Sequence, residues 1–218
     1  MKVQDQSIQL WADWQRSLSP FVLRQDLIQP TFQVLVAAYS ESGRVYHTLD
    51  HLQQVLDTIQ QLRQEANNLS IVQLAAWFHD AVYQVRATDN EAQSAALAEQ
   101  LLGNLEVPPG AIAQIQRLIL QTQHHQADSP DPDSQVLLDA DLAILAAPPQ
   151  RYQAYAAAIR QEYGWLTDMA FRQGRRPLLQ QFLQRDRLFY TETMFQQAET
   201  QARTNLQWEF RSLSLPPD

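Results

Sequence analysis

The chain has 218 residues and a formal net charge of −8 at pH 7. An acidic surface repels a phosphate backbone, so we expect no nucleic-acid polymer among its partners. It contains no cysteine, which excludes disulfides, thiolate metal ligands and a cysteine nucleophile, and it has 5 glycines, too few for a fold rich in β-hairpins.

Apolar residues recur with helical spacing along nearly the whole chain. The sequence predicts a first helix that ends before Pro20, two helices over 27–39 and 46–64, and a fourth that starts at Asn68 or Ser70 and runs through Val82. A capping box at 88–91 predicts the start of a helix that reaches about residue 102. Further helices are predicted from 109 to about 125, over 136–146 and from 149, followed by two or three more as far as Leu213. Residues 128–133 are predicted to form a loop, and the last three residues a frayed end. We therefore predict an all-α domain of about ten helices.

Nothing in the composition marks a domain boundary, since internal repeats, low-complexity linkers and charge blocks are absent from the sequence. We expect one domain over residues 1–218. The N-terminus turns polar after its first residues, and no apolar run approaches the ~18 residues that cross a bilayer. We therefore expect a cytoplasmic protein that needs no membrane. Helical bundles of this size often form dimers through an apolar face, so the sequence is compatible with a homodimer.

All five histidines lie within residues 47–125, and imidazole is the commonest protein ligand for borderline metals. His47 and His51 are four residues apart on a predicted helix, which places both rings on one face. A solvated surface pair is the alternative. His79 and Asp80 end an apolar segment and enter the interior, where a carboxylate needs a partner or a cation. They are interpreted either as a buried pair whose hydrogen bonds are made within the protein core or as metal ligands.

Adjacent helical residues point about 100° apart, so joint ligation by His79 and Asp80 requires a helix end or a distortion. Asp139 and Asp141 lie in a further apolar helical stretch. Asp139 is interpreted as an acid near a helix N-terminus, where it suits the helix dipole. Asp141 is the better ligand candidate of the two.

In this order, His47, His79 with Asp80, and Asp141 resemble the H…HD…D pattern of the HD-domain superfamily of metal-dependent phosphohydrolases. Five blocks are similar to a bacterial subfamily of predicted HD phosphohydrolases: Tyr46-His47-x-x-x-His51, Trp77 to Tyr83, Asp89-Asn90-Glu91-x-x-Ser94-Ala95, Thr122-x-x-His125 and Leu138 to Leu142. The resemblance covers about residues 40–210. It implies an HD-type helical bundle with a core of about 40–165 and a helical extension of about 166–214.

The resemblance also implies roles. The divalent ion would be bound by four residues: His47, His79, Asp80 and Asp141. The ligand types suit Mn, Fe, Co, Ni or Zn, and Mg less well.

Further candidate catalytic residues beside Asp80 are His51, His125 and Glu91. The two histidines would hold a substrate phosphate or bind a second metal, and Glu91 would orient the attacking water or else belong to the helix cap. Arg44 is the candidate for phosphate binding. Five further arginines, Arg172, Arg175, Arg176, Arg185 and Arg187, suit phosphate binding or a solvated helix face, and we favour the second.

The expected function is metal-dependent hydrolysis of a small phosphate ester, with a nucleotide-like substrate. The alternatives are a module that holds metal and nucleotide without turnover, a di-iron oxygenase on the same fold, and a purely structural helical protein. A full second set of ligands is not recognisable in the sequence, which disfavours the oxygenase.

Overall fold

The computed structural model describes residues 2–127 and 131–214. Within these ranges the chain forms ten α-helices and one 3-10 helix, and no strand. The α-helices are α1 Lys2–Leu18, α2 Gln25–Tyr39, α3 Leu49–Gln61, α4 Leu69–Phe78, α5 Asn90–Asn104, α6 Pro109–Gln121, α7 Pro132–Leu142, α8 Pro149–Glu162, α9 Asp168–Leu183 and α10 Glu192–Ser212, and the 3-10 helix is Ala143–Ala146. The predicted all-α class and the predicted number of helices are confirmed.

The chain divides into two compact units, Met1–Ala140 and Asp141–Asp218. The predicted core of about residues 40–165 with a helical extension stays a prediction. The division lies inside α7, and Asp141 therefore directly follows Ala140 in the same helix. None of the helices in the described ranges combines the length and the apolar character that crossing a bilayer requires.

The first unit is built around α4, because every residue of this helix from Ile71 to Phe78 is buried. A helix that is apolar on all sides belongs in the centre of a bundle. It packs against α1, α3, α5 and α6. The ring of Trp14 on α1 lies edge-on to Trp77 at 5.3 Å and to Phe78 at 6.4 Å between centroids. These contacts fix the C-terminal end of α4.

The N-terminal end of α4 is fixed by hydrogen bonds. The Asn68 side chain accepts the Ile71 N–H at 3.3 Å, so Asn68 is the N-cap among the two predicted alternatives. The buried Asp133 in the first turn of α7 accepts the N–H groups of Asn67 at 2.7 Å and of Asn68 at 2.9 Å. The starts of α4 and α7 are thereby joined.

Several predicted helix ends are wrong. Helix α3 begins at Leu49 and not at residue 46, because Thr48 has an extended backbone, with φ of −115° and ψ of −178°. Helix α4 ends at Phe78 rather than Val82. The capping box is also wrong, since Asp89 is the N-cap of α5 and its side chain makes no capping hydrogen bond. The amide of Asn90 bonds the backbone of Gln84 instead, as donor and as acceptor, both at 3.0 Å.

Helix α7 begins at Pro132, so the fully buried Asp139 lies near its C-terminal end, and the interpretation of Asp139 as an N-terminal acid is wrong. The helix starts early because Asp133 finds partners at the start of α4. The predicted loop at 128–133 lies partly outside the described residues, and the predicted frayed tail lies wholly outside them.

The second unit has its own apolar core. The largest side chains of this core include Tyr152, Phe182 and Phe189. Beside it lies an ion pair in which Arg175 Nε donates to Glu209 Oε1 at 2.8 Å, and the two side chains are only 10% and 5% exposed. Tyr152 Oη donates to the same carboxylate. Arg175 therefore departs from the solvated arginine face that the sequence predicted.

Candidate metal centre

Three side chains from different helices bring ligand atoms together. They are His51 in the first turn of α3, His79 at the C-cap of α4, and Asp141 in the last turn of α7. One ligand atom of each lies within 4.8 Å of those of the other two. This His-His-Asp group could hold a metal ion.

The ring of His79 is oriented by the helix that carries it. Its Nδ1 lies 2.7 Å from the carbonyl oxygen of Ala76, which can only accept, so Nδ1 carries the hydrogen. In the neutral ring the lone pair is then on Nε2. A backbone carbonyl that fixes the other ring nitrogen is the usual partner of a metal-binding histidine. His79 is therefore set to ligate through Nε2.

The two imidazoles have the spacing of ligands of one ion. His51 Nε2 and His79 Nε2 are 3.3 Å apart, and the rings are 2% and 1% exposed. Bond lengths of about 2.0–2.1 Å place two nitrogens on one tetrahedral zinc about 3.3–3.4 Å apart. A hydrogen bond from His51 to His79 also fits this distance, so the group suits either a shared proton or a shared cation.

Asp80 adds negative charge to the same place. Its Oδ2 lies 3.1 Å from His79 Nε2 and 3.5 Å from His51 Nε2. Burial raises the pKa of Asp80, but the positive charges that His79 and His47 carry when protonated, with hydrogen bonds from the rings of His51 and His79, more than offset this and hold the pKa well below its usual range. An ionised carboxylate in this place is stabilised by a protonated ring, by a hydrogen bond from a neutral ring N–H, or by a metal ion. The side chains of His79 and Asp80 converge at the end of α4, and the role of Asp80 as a ligand stays a prediction.

His47 lies beside this group rather than in it. The prediction that His47 and His51 share a helix face is wrong, because α3 begins only at Leu49. The ring of His47 stacks on Tyr83 with 4.1 Å between centroids, and its centroid is 5.8 Å from that of His51. Its role as a ligand stays a prediction.

His51 belongs to the group of three, whereas the resemblance implies for it a role in holding phosphate or a second metal. A signal for this was present: His51 lies in the buried stripe of α3 that continues through Leu52, Val55, Leu56 and Ile59. A histidine in an apolar stripe faces the interior, where its ring needs a polar partner.

The other predicted residues are outside the group of three. Glu91 is the second residue of α5. His125 follows α6 with a left-handed φ of +47° and is half-buried, while His124 is exposed, as expected of a solvated neighbour. The catalytic roles of Glu91 and His125 stay predictions. Arg44 donates hydrogen bonds to the backbone carbonyls of His47 and Asp80.

A cavity of 480 Å³ adjoins the turn that follows Asp80. Ala81 and Tyr83 line it on one side. Apolar side chains of α2 and α5, among them Val34 and Leu97, line another part, and Glu41 and Gln84 add polar groups. Its volume is in the range of small-molecule sites.

Comparison of the chain with protein-family models, with curated proteins and with solved structures finds no match. The resemblance to the HD-domain superfamily therefore stays a prediction.

Proposed function

We propose that the protein is a metal-dependent phosphohydrolase that acts on a small, nucleotide-like phosphate ester. The observation that carries the proposal is the convergence of His51, His79 and Asp141, three residues far apart in the sequence, with the carboxylate of Asp80 against both rings. Two imidazoles with carboxylates and no thiolate suit Mn, Fe, Co, Ni or Zn.

The four side chains have distinct roles in this proposal. His51 and His79 would hold the ion through Nε2, and Asp141 and Asp80 would bind it or balance its charge. Bound by these residues, a divalent ion would supply Lewis-acid chemistry, which would lower the pKa of a water and polarise a phosphate oxygen. His79 is kept in the right tautomer by Ala76, so it needs no rearrangement to bind.

The cavity beside Asp80 supports the substrate class. Tyr83, one face of whose ring stacks on His47, offers an aromatic group at its wall, and Val34 and Leu97 add apolar surface beside the carboxylate of Glu41. A flat group such as a nucleobase buries well against such walls, because stacking and apolar burial do not depend on a particular hydrogen-bond pattern.

We expect the natively purified chain to carry about one divalent ion, and the metal-stripped chain to regain stability when Mn, Co or Zn is added. A ligand that binds only the folded state stabilises it by about 2.7 kcal/mol at a hundredfold excess over Kd. Elemental analysis and thermal melts measure both. His124→Ala is the matched control, because His124 is exposed and lies outside the group. The proposal would be contradicted by a purified chain that contains no metal and whose melting temperature is unchanged by Mn, Co and Zn.

The reaction itself is tested by incubating the metal-loaded chain with phosphomonoesters and phosphodiesters. Release of phosphate or of an alcohol, lost on removal of metal, is the expected result. Stabilisation by a nucleotide without any product would instead show a binding module.

A further inference from the structure

Arg44 is presented to the metal centre by a tight turn between α2 and α3. Gly43 has a φ of +102° in this turn, a conformation that side-chain-bearing residues rarely adopt. The Arg44 N–H contacts the Glu41 carbonyl at 3.4 Å. The side chain of Arg44 is then only 2% exposed.

The guanidinium of Arg44 donates hydrogen bonds to backbone carbonyls. Nη1 donates to Asp80 O at 2.6 Å and to His47 O at 3.2 Å, and Nη2 donates to Ala81 O at 3.0 Å. Two of these carbonyls follow the C-terminal end of α4, where carbonyl groups have no partner within the helix and a cation is favourable. One side chain thus joins the segment of His47 to the segment of Asp80.

Tyr39 supports the same turn from α2. Its hydroxyl donates to Trp77 O at 3.3 Å and accepts the N–H of Asp80 at 3.4 Å. The guanidinium of Arg44 lies 5.3 Å from the ring centroid of Tyr39 and 5.5 Å from that of Tyr83. Between them, Arg44 and Tyr39 hold both the N–H and the C=O of Asp80, so the backbone of this residue cannot rotate freely.

We infer that Arg44 is a positioning residue of the metal centre, which holds the backbone of Asp80 and His47 in place, and that it does not bind substrate phosphate. The inference rests on the proposed function. Its physical basis is that both Nη atoms of the buried guanidinium are already used, in hydrogen bonds to three carbonyls and in an ion pair of Nη2 with Glu41 Oε2 at 3.6 Å, which leaves Nε as the donor without a hydrogen-bond partner. A phosphate held by the Nη atoms would have to displace those contacts. Loss of a group that orients ligands typically weakens metal binding by about 10- to 100-fold.

Cobalt(II) binding to the full chain tests the inference, with affinity and the visible absorption of the bound ion as readouts. In Arg44→Ala and Arg44→Lys we expect affinity about 10- to 100-fold lower and an altered spectrum, because lysine cannot reach three carbonyls at once. Guanidinium ion at millimolar concentration should partly restore Arg44→Ala. Arg24→Ala is the control, since Arg24 is an exposed arginine whose carboxylate partner is Asp26.

Gly43→Ala provides a variant that keeps the arginine. An added Cβ meets no atom within 4 Å, so this change strains the backbone turn alone, and we expect a smaller loss of cobalt affinity. Arg44 variants that bind cobalt with unchanged affinity and spectrum, but show a raised KM for a phosphate ester, would overturn the inference in favour of phosphate binding. A wild-type chain that binds no cobalt would overturn the proposed function together with it.

Discussion

His79→Ala abolishes metal binding and, with it, hydrolysis: this is the largest functional effect that we expect. The ring supplies Nε2 to the group with His51 and Asp141, and it contacts Asp80 at 3.1 Å. Removal of an orienting partner alone typically costs about 10- to 100-fold in metal affinity, so loss of a ligand should cost at least about 100-fold. Titration of the metal-stripped variant with Mn or Co measures the affinity, and initial rates on the best ester of the panel measure the activity.

Two further variants separate ligation from packing. Asp141→Asn keeps the shape of the side chain and removes its charge, so we expect weaker metal binding with a nearly unchanged melting temperature of the metal-free chain. Asp80→Ala should also lose activity. Rates that persist unchanged in His79→Ala or Asp80→Ala would rule out a reaction at this centre.

Glu209→Ala should produce the largest loss of stability among the charged residues. It leaves Arg175 buried without its carboxylate and removes the acceptor of the Tyr152 hydroxyl. Breaking a buried ion pair by removing one partner typically costs about 3–5 kcal/mol, because the remaining charge is not compensated. Urea denaturation of the full chain, followed by circular dichroism, measures the change in the free energy of unfolding.

Glu192→Ala is the matched control for Glu209→Ala. Glu192 pairs with Arg187 at 3.1 Å, but its side chain is 61% exposed, and exposed pairs contribute little. We expect its urea midpoint to stay close to that of the wild type. A double replacement, Arg175→Met with Glu209→Leu, should recover much of the loss, since apolar side chains of similar volume can replace a buried pair. Equal urea midpoints for Glu209→Ala and Glu192→Ala would show that the buried pair contributes no more to the free energy of unfolding than the exposed pair.

The helices were predictable because their signal is local. Apolar spacing and the scarcity of glycine are properties of neighbouring residues, and both predicted an all-α fold. Helix ends were less predictable, since they depend on single contacts. The extended backbone of Thr48 sets the start of α3, and the hydrogen bond between Asp133 and the N–H of Asn68 stabilises the start of α7. Neither feature follows from a periodic pattern.

The centre was predictable in part. The apolar context singled out His79 with Asp80 and favoured Asp141 over Asp139, and the resemblance combined these residues into one ligand set. That the ring of His51 lies next to them depends on where α3 begins, and the sequence placed that start too early. The pairing of Arg175 with Glu209 joins residues on two different helices, so local patterns hold no information on it.

The carboxylate of Asp133 ties together two segments that are distant in the chain, because it accepts the N–H groups of Asn67 and Asn68. These bonds lie within the first unit and involve no member of the candidate metal centre. The order at the start of α4 therefore has a source that does not depend on metal occupancy, and we expect the backbone amides there to exchange equally slowly in the metal-stripped and the metal-loaded chain.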